Sequence, residues 1–408
     1  MIKLIIMFMI PMFLGNIFQQ FYNIVDSIVA GQFIGVDALA AIGSTGSLMF
    51  FVTGWLNGLS SGFGIIVAQM FGAKRYDDMR HFVAMSIYLM FGFAAAMTVG
   101  FLVFNVPILK LMNSPADLMG DVAGYMGIIY AGLLVTAAYN TLAAFLRALG
   151  DSKSPLYFLI ISAGINVILD VVLIRFVGMG VEGCAYATVI AQGVSAVCCL
   201  VYIKKKYPIL HLEKKNFELR KGSMSKLLIL GIPMGLQFSI TAIGSIMLQS
   251  ANNALGSASV AAFASAVRIK SFFMCPFESL GIAMATYTGQ NYGAGKPQRI
   301  WQGIKASGLM MIVYAAFAFL VMMLTSEQLA QIFVDPTETE VINKAVQYMH
   351  VSCSFFPILG ILCILRYTIQ GAGFTNLAML SGVSEMIART LVSIYAVPAF
   401  GFLAVCFG

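Results

Sequence analysis

Charged side chains are scarce in this sequence of 408 residues: Asp, Glu, Lys and Arg make up 10% of it, while hydrophobic residues make up 60%. A soluble domain usually has about 25% charged residues. The mean hydropathy is +0.90. A soluble fold of this length could not bury so much apolar surface. The composition therefore excludes a soluble protein and predicts a multi-pass membrane protein.

Residues that bind metals or carry out hydrolysis are equally few. The sequence has 3 His, and its 7 Cys show neither a CxxC motif nor metal-ligand spacing. Four cysteines lie in apolar runs, where we interpret them as small core residues: Cys184, Cys198, Cys199 and Cys363. No Walker A or HExxH motif is present. We expect neither enzyme activity nor a cofactor.

Two short stretches match catalytic motifs without the context that those motifs need. Residues 178–183 fit GxGxxG but lie in a turn between apolar segments. Residues 58–62 fit GxSxG but lie inside an apolar segment. We interpret the second stretch as a place where two helices pack closely through small residues.

Eleven apolar segments are each long enough to cross a membrane as a helix, for which about 20 residues are needed. They are 4–33, 38–70, 82–106, 119–146, 155–176, 181–203, 226–251, 258–289, 300–324, 341–370 and 375–398. We number them spans 1 to 11 in this order. The sequence thus predicts an all-α polytopic membrane protein.

Basic residues concentrate in alternate loops, and the positive-inside rule then gives the orientation. With a cytoplasmic N-terminus, the outer connections carry mainly Lys110, Arg175 and Lys344. The inner ones carry most of the others, including those of a polar linker at 204–225 that also suits anionic lipid. These loops account for the net charge of +7, so no nucleic-acid partner is expected. We expect a protein of the cytoplasmic membrane, with its N-terminus and linker inside.

The two halves of the chain are copies of one unit. Ile10-Pro11-Met12 in the first half returns as Ile232-Pro233-Met234 in the second. Gln69-Met70-Phe71-Gly72-Ala73 returns as Gln290-Asn291-Tyr292-Gly293-Ala294, at nearly the same offset. Matches in constant order and spacing indicate a duplication. Many transporters have this plan, with the substrate path between the copies.

The duplication predicts an N-lobe at 1–203, the linker at 204–225 and a C-lobe at 226–408. Six spans precede the linker and five follow it, and the residues after Phe400 match the start of span 6. We therefore expect two pseudo-symmetric six-helix lobes, with helix twelve missing from this chain. We also expect residues 1–408 alone to be inactive in transport.

Acidic residues inside the spans indicate ion paths, because an ionised carboxylate in lipid is costly. Asp26 in span 1 and Asp170 in span 5 reach a similar depth in the outer half. Asn166 lies one turn before Asp170, and Thr188 in span 6 reaches the same level. These oxygen donors could hold Na⁺ or share and pass a proton. Alternatively, each Asp only makes a packing hydrogen bond to a neighbouring helix.

The second copy carries a different set of charges at the equivalent positions. Arg389 stands opposite Asn166, and Ser393 stands opposite Asp170. Glu385 precedes Arg389 by one turn, so we expect an i,i+4 ion pair between them.

Glu278 in span 8 is a second candidate functional acid. It follows Pro276, so we expect local unwinding that lets it face a cavity. Glu278 is either a group that attracts cations or a lock between helices. Tyr22 and Tyr139 are candidates to line a substrate cavity through cation–π contact.

Taken together, these motifs resemble the multidrug and toxic compound extrusion (MATE) family, in particular its DinF-like branch. The resemblance rests on 10–12, 22–26, 69–73, 147–155 and 166–170, together with 290–294 and the repeat. It implies two six-helix lobes in a V and export driven by H⁺ or Na⁺. It assigns the N-lobe cation site to Asp26, Asn166, Asp170 and, by position, Thr188. The NorM-like branch has an acid in helix seven, which is absent here.

The sequence therefore predicts a monomeric antiporter that exports lipophilic organic cations in exchange for H⁺ or Na⁺. The alternative is a flippase for lipids or lipid-linked oligosaccharides, with the same architecture. A flippase for pyrophosphate head groups should have several cavity arginines. Basic residues inside the spans are few, which favours cations as substrates: Arg268, Lys270, Arg366 and Arg389.

Overall fold

A computed structural model describes residues 2–33, 36–112 and 118–408. Within these ranges the side chains at 22–24, 26–28, 30–32, 36–44 and 47 are not described. The described chain forms helices and no strands. The α-helices are α1 Ile2–Phe33, α2 Val36–Gly72, α3 Tyr76–Val103, α4 Asn105–Leu111, α5 Met119–Ala131, α6 Leu133–Ala148, α7 Lys153–Val171, α8 Val181–Lys206, α9 Ser223–Asn253, α10 Ser257–Gly293, α11 Pro297–Gln331, α12 Thr339–Ser354, α13 Phe356–Gly371, α14 Thr375–Leu391, α15 Val397–Phe400 and α16 Phe402–Val405.

The apolar helices are long enough to cross a membrane, as the sequence predicts. Among the described residues, nine helices meet the length and hydropathy needed, and two bent pairs bring the number to eleven. The bent pairs are α5 with α6 and α12 with α13. Each of the eleven predicted spans overlaps one of these helices or pairs. The protein is an all-α, multi-span membrane protein.

The duplication is visible in the backbone as well as in the sequence. The bent pairs, with angles of 47° and 53°, meet at Gly132 and at Phe355, which are matched positions of the repeat. A π-helical turn follows α7 at Val172–Phe176, and another follows α14 at Val392–Ala396. The bends are in register with the repeat and the π turns lie within one helical turn of it, so the two copies share one backbone plan.

One turn conformation recurs in both copies and requires glycine. Gly180 precedes α8 with φ 61° and ψ −143°, and Gly401 precedes α16 with φ 59° and ψ −139°. Residues with a side chain rarely adopt such a positive φ, whereas glycine does so at little cost. The turn after span 5 is therefore repeated after span 11.

The helices group into two compact units. Unit 1 comprises Met1–Phe13, Leu236–Tyr292 and Lys296–Gly408, and unit 2 comprises Leu14–Gly235 and Gly293–Gly295. Helices α1 and α9 thus each contribute residues to both units. Each changes unit shortly after its Ile-Pro-Met motif, so the division again follows the repeat. The lobe boundaries at 1–203, 204–225 and 226–408 stay a prediction.

Each unit has a hydrophobic core of its own. In unit 1, Phe277, Met311 and Phe356 are fully buried, and Ile5 from the start of α1 joins them. In unit 2, Leu56, Phe63 and Tyr130 are at the centre of the largest cluster.

Helices α2 and α9 cross at backbone contact inside unit 2. A Cβ on Gly62 would lie 2.6 Å from the Cα of Gly231, and one on Gly58 would lie 2.6 Å from the Cα of Gly235. Only glycine permits this approach. The interpretation of 58–62 as a close-packing segment is therefore confirmed, and α9 supplies the partner.

The linker is folded against the start of α3. The buried His81 ring lies 3.0 Å through Nδ1 from the Asn216 carbonyl and 2.9 Å through Nε2 from Ser223 Oγ. Arg220 forms an ion pair with Asp78 at 3.3 Å. These contacts hold the last part of the linker and the first residue of α9 against α3.

A second tie holds the start of the linker. Asp151 accepts hydrogen bonds from the backbone N–H groups of Lys153 and Ser154, which caps α7, and from the Tyr207 hydroxyl at 2.8 Å. Burial and the Asp151 carboxylate raise the pKa of Tyr207, so the hydroxyl stays protonated and keeps donating.

We predict that Gly62→Ala lowers the free energy of unfolding by about 1–3 kcal/mol, because the added methyl group forces α2 and α9 apart. The control is Gly92→Ala in α3, where an added Cβ has no neighbour within 4 Å. Differential scanning fluorimetry of detergent-purified protein measures both. Equal melting temperatures for the two variants would contradict the close crossing.

Candidate functional site

The N-terminal polar cluster consists of Asn166 and Asp170 on α7 and Thr188 on α8. Asn166 is 1% exposed, Asp170 0% and Thr188 9%. Asn166 Nδ2 donates a hydrogen bond to Thr188 Oγ1 at 3.3 Å. Helices α7 and α8 follow one another through the short turn at 177–180, so they pack side by side. The structure thus brings three of the four predicted site residues into one buried region.

The cluster offers oxygen atoms of the kind that a hard cation binds. Because Asn166 uses its amide nitrogen for Thr188, its carbonyl oxygen is left as a buried acceptor with no hydrogen-bond partner among the described residues. The carboxyl group of Asp170 lies one turn away and is fully buried. Carboxylate, amide carbonyl and hydroxyl oxygens suit Na⁺, and a buried carboxyl group also suits a proton.

The backbone changes its helix type directly after Asp170. The π turn at Val172–Phe176 closes with a hydrogen bond from Val177 N–H to the Val172 carbonyl at 3.1 Å. Single π turns inside membrane helices are often found at functional sites. The sequence does not reveal this feature, because a π turn has no distinctive residue pattern.

Asp26 and Tyr22 belong to α1, but their side chains lie outside the described residues. Their part in the cation site and in the substrate cavity stays a prediction. Tyr139 is half-buried and packs on a smaller core cluster of unit 2 that includes Phe145 and Cys199. A cavity-lining role for Tyr139 also stays a prediction.

Glu278 lies on a continuous helix, so the expected local unwinding is wrong. Helix α10 runs through Pro276 without a break. A proline removes one backbone hydrogen bond and need not end a membrane helix, because neighbouring helices compensate. Glu278 is nevertheless exposed, and its electrostatic partner is Arg366 on α13. Lys270, a basic residue of the same helix, instead donates through Nζ to the Tyr348 hydroxyl at 3.2 Å.

The expected ion pair of the second copy is confirmed. Arg389 binds Glu385 at 2.8 Å, one turn before it on α14. Arg389 also donates to Ser245 Oγ on α9 at 2.7 Å. A fixed cation therefore occupies the position that Asn166 has in the first copy.

The fold and the site define the class of protein. A duplicated set of membrane helices with a buried acid inside a span is typical of secondary transporters. The family model MatE matches residues 11–172 and matches again at 233–395. The chain therefore belongs to the multidrug and toxic compound extrusion (MATE) family, whose members are transporters and not enzymes. The two matches start at Pro11 and Pro233, which the internal repeat pairs with one another.

Relatives and solved structures agree with this family. The probable multidrug resistance protein YoeA of Bacillus subtilis (strain 168) is 28% identical over 96% of this chain and 83% of its own length. An FAD transporter of Shewanella oneidensis is 23% identical over 87% of this chain and 79% of its own. An outward-facing structure of a multidrug resistance MATE family transporter is similar with a TM-score of 0.93 and 20% identity, covering 100% of this chain and 91% of the other.

Thr188→Val should lower the free energy of unfolding by about 1–3 kcal/mol, because the buried Asn166 amide then lacks an acceptor. Thr188→Ser keeps the hydroxyl group and should cost less. Thermal unfolding of the two purified variants in detergent compares them. A valine variant as stable as the serine variant would show that the hydrogen bond contributes nothing.

Proposed function

We propose that this protein is an antiporter that exports lipophilic organic cations in exchange for H⁺ or Na⁺. The observation that carries the proposal is the buried cluster of Asn166, Asp170 and Thr188 in a chain of the MATE family. The names of several relatives, among them multidrug export proteins of Staphylococcus, support drug export. The small number of basic residues in the spans supports cations as the substrate class.

The burial of Asp170 gives the cluster its role in coupling. A carboxylate removed from water is costly unless a proton or a cation neutralises it. Loss of that proton or cation would leave a charge that has to be hydrated. The occupied and empty cluster would then favour different conformations, and an ion drives transport only through such differential affinity.

The remaining assignments extend this proposal. Asp26 completes the oxygen donors from α1, and Glu278, Tyr22 and Tyr139 contact the substrate. The protein lies in the cytoplasmic membrane as a monomer, with its N-terminus and linker on the inside. The charge distribution of the loops supports this orientation.

Ethidium efflux from a pump-deficient bacterium tests the proposal. With the full-length protein and an imposed pH or Na⁺ gradient, we expect ethidium efflux. Asp170→Asn should reduce this efflux by tenfold or more, because an amide has no negative charge with which to bind and release a proton or Na⁺. Asp26→Asn should act in the same direction.

The matched control is Asp121→Asn, an exposed acid at the start of α5 in the same unit, which should leave efflux unchanged. Efflux at the wild-type rate in both Asp170→Asn and Asp26→Asn would show that the N-terminal polar cluster and Asp26 do not couple the ion to transport. Absence of efflux from the wild type would contradict drug export and favour a lipid flippase.

A further inference from the structure

The turn between α2 and α3 holds a lysine in a backbone conformation that suits glycine. Lys74 has a φ of 58°, and among the described residues it is the only one other than glycine with a positive φ. A residue with a Cβ enters this left-handed region at a cost in free energy. Strained residues of this kind are often found at ligand sites, so Lys74 is a candidate for a function.

The second copy of the repeat makes the same turn without strain. Its equivalent residue is Gly295, with a φ of 65°. In the first copy the Arg75 N–H donates to the Met70 carbonyl at 3.0 Å. In the second copy the Lys296 N–H donates to the Asn291 carbonyl at 2.9 Å. Glycine is the usual residue at this position after a helix. The turn itself therefore does not require a lysine.

Ion pairs within the protein do not account for the lysine either. The side chain of Lys74 is exposed and forms no ion pair with any residue that the structure describes. Its basic neighbours are paired, since Arg75 binds Asp78 at 2.6 Å. In the same way Arg80 binds Asp77 at 2.6 Å. The strained cation is therefore available to an anion outside the chain.

A cavity of about 370 Å³ opens beside this turn. Pockets for small ligands usually measure about 300–1,000 Å³. Three cations and two carboxylates line the cavity: Lys74, Arg75, Arg80, Asp77 and Asp78. Arg220 of the linker adds a fourth cation, because it binds Asp78 at 3.3 Å. Four cations and two carboxylates leave a net charge of +2, so the cavity favours an anion.

Apolar side chains beside these charges favour a lipid over a free anion. Tyr76 and Ile209 line the same cavity. Leu219, which precedes Arg220 in the linker, is 72% exposed. The turn joins two helices that are long and apolar enough to cross a membrane, so it lies where two spans end. At such a boundary, cationic groups bind lipid head groups and neighbouring apolar side chains contact the acyl region.

We propose that Lys74, Arg75 and Arg80 bind the phosphate group of an anionic phospholipid, while Tyr76 and Ile209 contact its glycerol and upper acyl region. The site goes beyond the proposed transport function and does not depend on it. Lys74 supplies the unpaired charge. The two arginines are oriented by their aspartates and keep further donors for the lipid, because a guanidinium group has five N–H groups. The positive-inside orientation places this lipid in the cytoplasmic leaflet.

Thermal unfolding of the purified full-length protein in detergent tests the site. Dioctanoyl phosphatidylglycerol is titrated against the protein, and dioctanoyl phosphatidylcholine and inorganic phosphate are titrated for comparison. We expect the melting temperature to rise with phosphatidylglycerol until the site is saturated, and to change little with the other two. Lys74→Gly should bind phosphatidylglycerol about tenfold more weakly, because one charge-assisted contact is lost.

Without lipid, Lys74→Gly should change stability in the opposite direction. Glycine relieves the cost of the positive φ, so the lipid-free variant should melt at a higher temperature than the wild type. Lys74→Arg keeps the charge and should keep most of the lipid affinity. The matched control is Lys205→Gln, which removes an exposed lysine of the linker that does not line the cavity. Its affinity for phosphatidylglycerol should stay within about twofold of the wild type.

Equal affinity of the wild type and Lys74→Gly for phosphatidylglycerol would overturn the site, as would a wild type that this lipid does not stabilise. An equal loss of affinity in Lys205→Gln would also overturn it, because the charge of the whole surface would then attract the lipid. Stabilisation by inorganic phosphate as strong as by phosphatidylglycerol would identify a free anion as the ligand and overturn the lipid. A lipid-free Lys74→Gly variant that melts below the wild type would show that the lysine stabilises the fold, which contradicts the argument from strain.

Discussion

Polar groups inside a membrane must find their partners within the protein, because lipid offers none. This constraint explains most hydrogen bonds in the spans. Buried hydroxyl groups bond to the carbonyl one turn earlier on their own helix, as Ser60 does to Leu56 and Ser279 to Cys275. Groups that go beyond this local solution, such as Asn166 and Arg389, bond across helices. The residues that remain incompletely bonded are then the candidates for binding ions and substrates.

The two copies of the repeat satisfy this constraint with different chemistry on one backbone. The first copy has Asn166 and the buried Asp170, followed by a π turn. At the equivalent sequence positions the second copy has Arg389, which is bound by Glu385, and Ser393, whose hydroxyl bonds to the Arg389 carbonyl at 2.7 Å. Ser393 lies within the π turn of that copy. A group that can gain and lose its charge is thus present in one copy, and a permanent charge in the other. Duplication conserved the scaffold and left the charges free to diverge.

The linker shows how the same constraint operates at the membrane boundary. Its lysines are exposed to water, yet it is not a loose connection, because His81 and Asp78 of α3 hold it at Asn216, Ser223 and Arg220. The start of α9 is held a second time by the glycine contacts with α2. The part of α9 that belongs to unit 2 is therefore held at two places, by α3 at Ser223 and by α2 at Gly231 and Gly235.

The sequence by itself determined the spans, the duplication and the presence of an acid, Asp170, inside a span. Hydropathy identifies spans because each needs about 20 apolar residues, and a rare Asp in such a segment stands out against its neighbours. Tertiary structure alone decided which polar residues meet. The bond between Asn166 and Thr188, the pairing of Gln237 with Gln370 and the neighbourhood of Glu278 and Arg366 depend on how helices rotate and pack against one another. Hydropathy does not encode that rotation, because in a chain so uniformly apolar nearly every face of a helix is equally compatible with lipid and with protein.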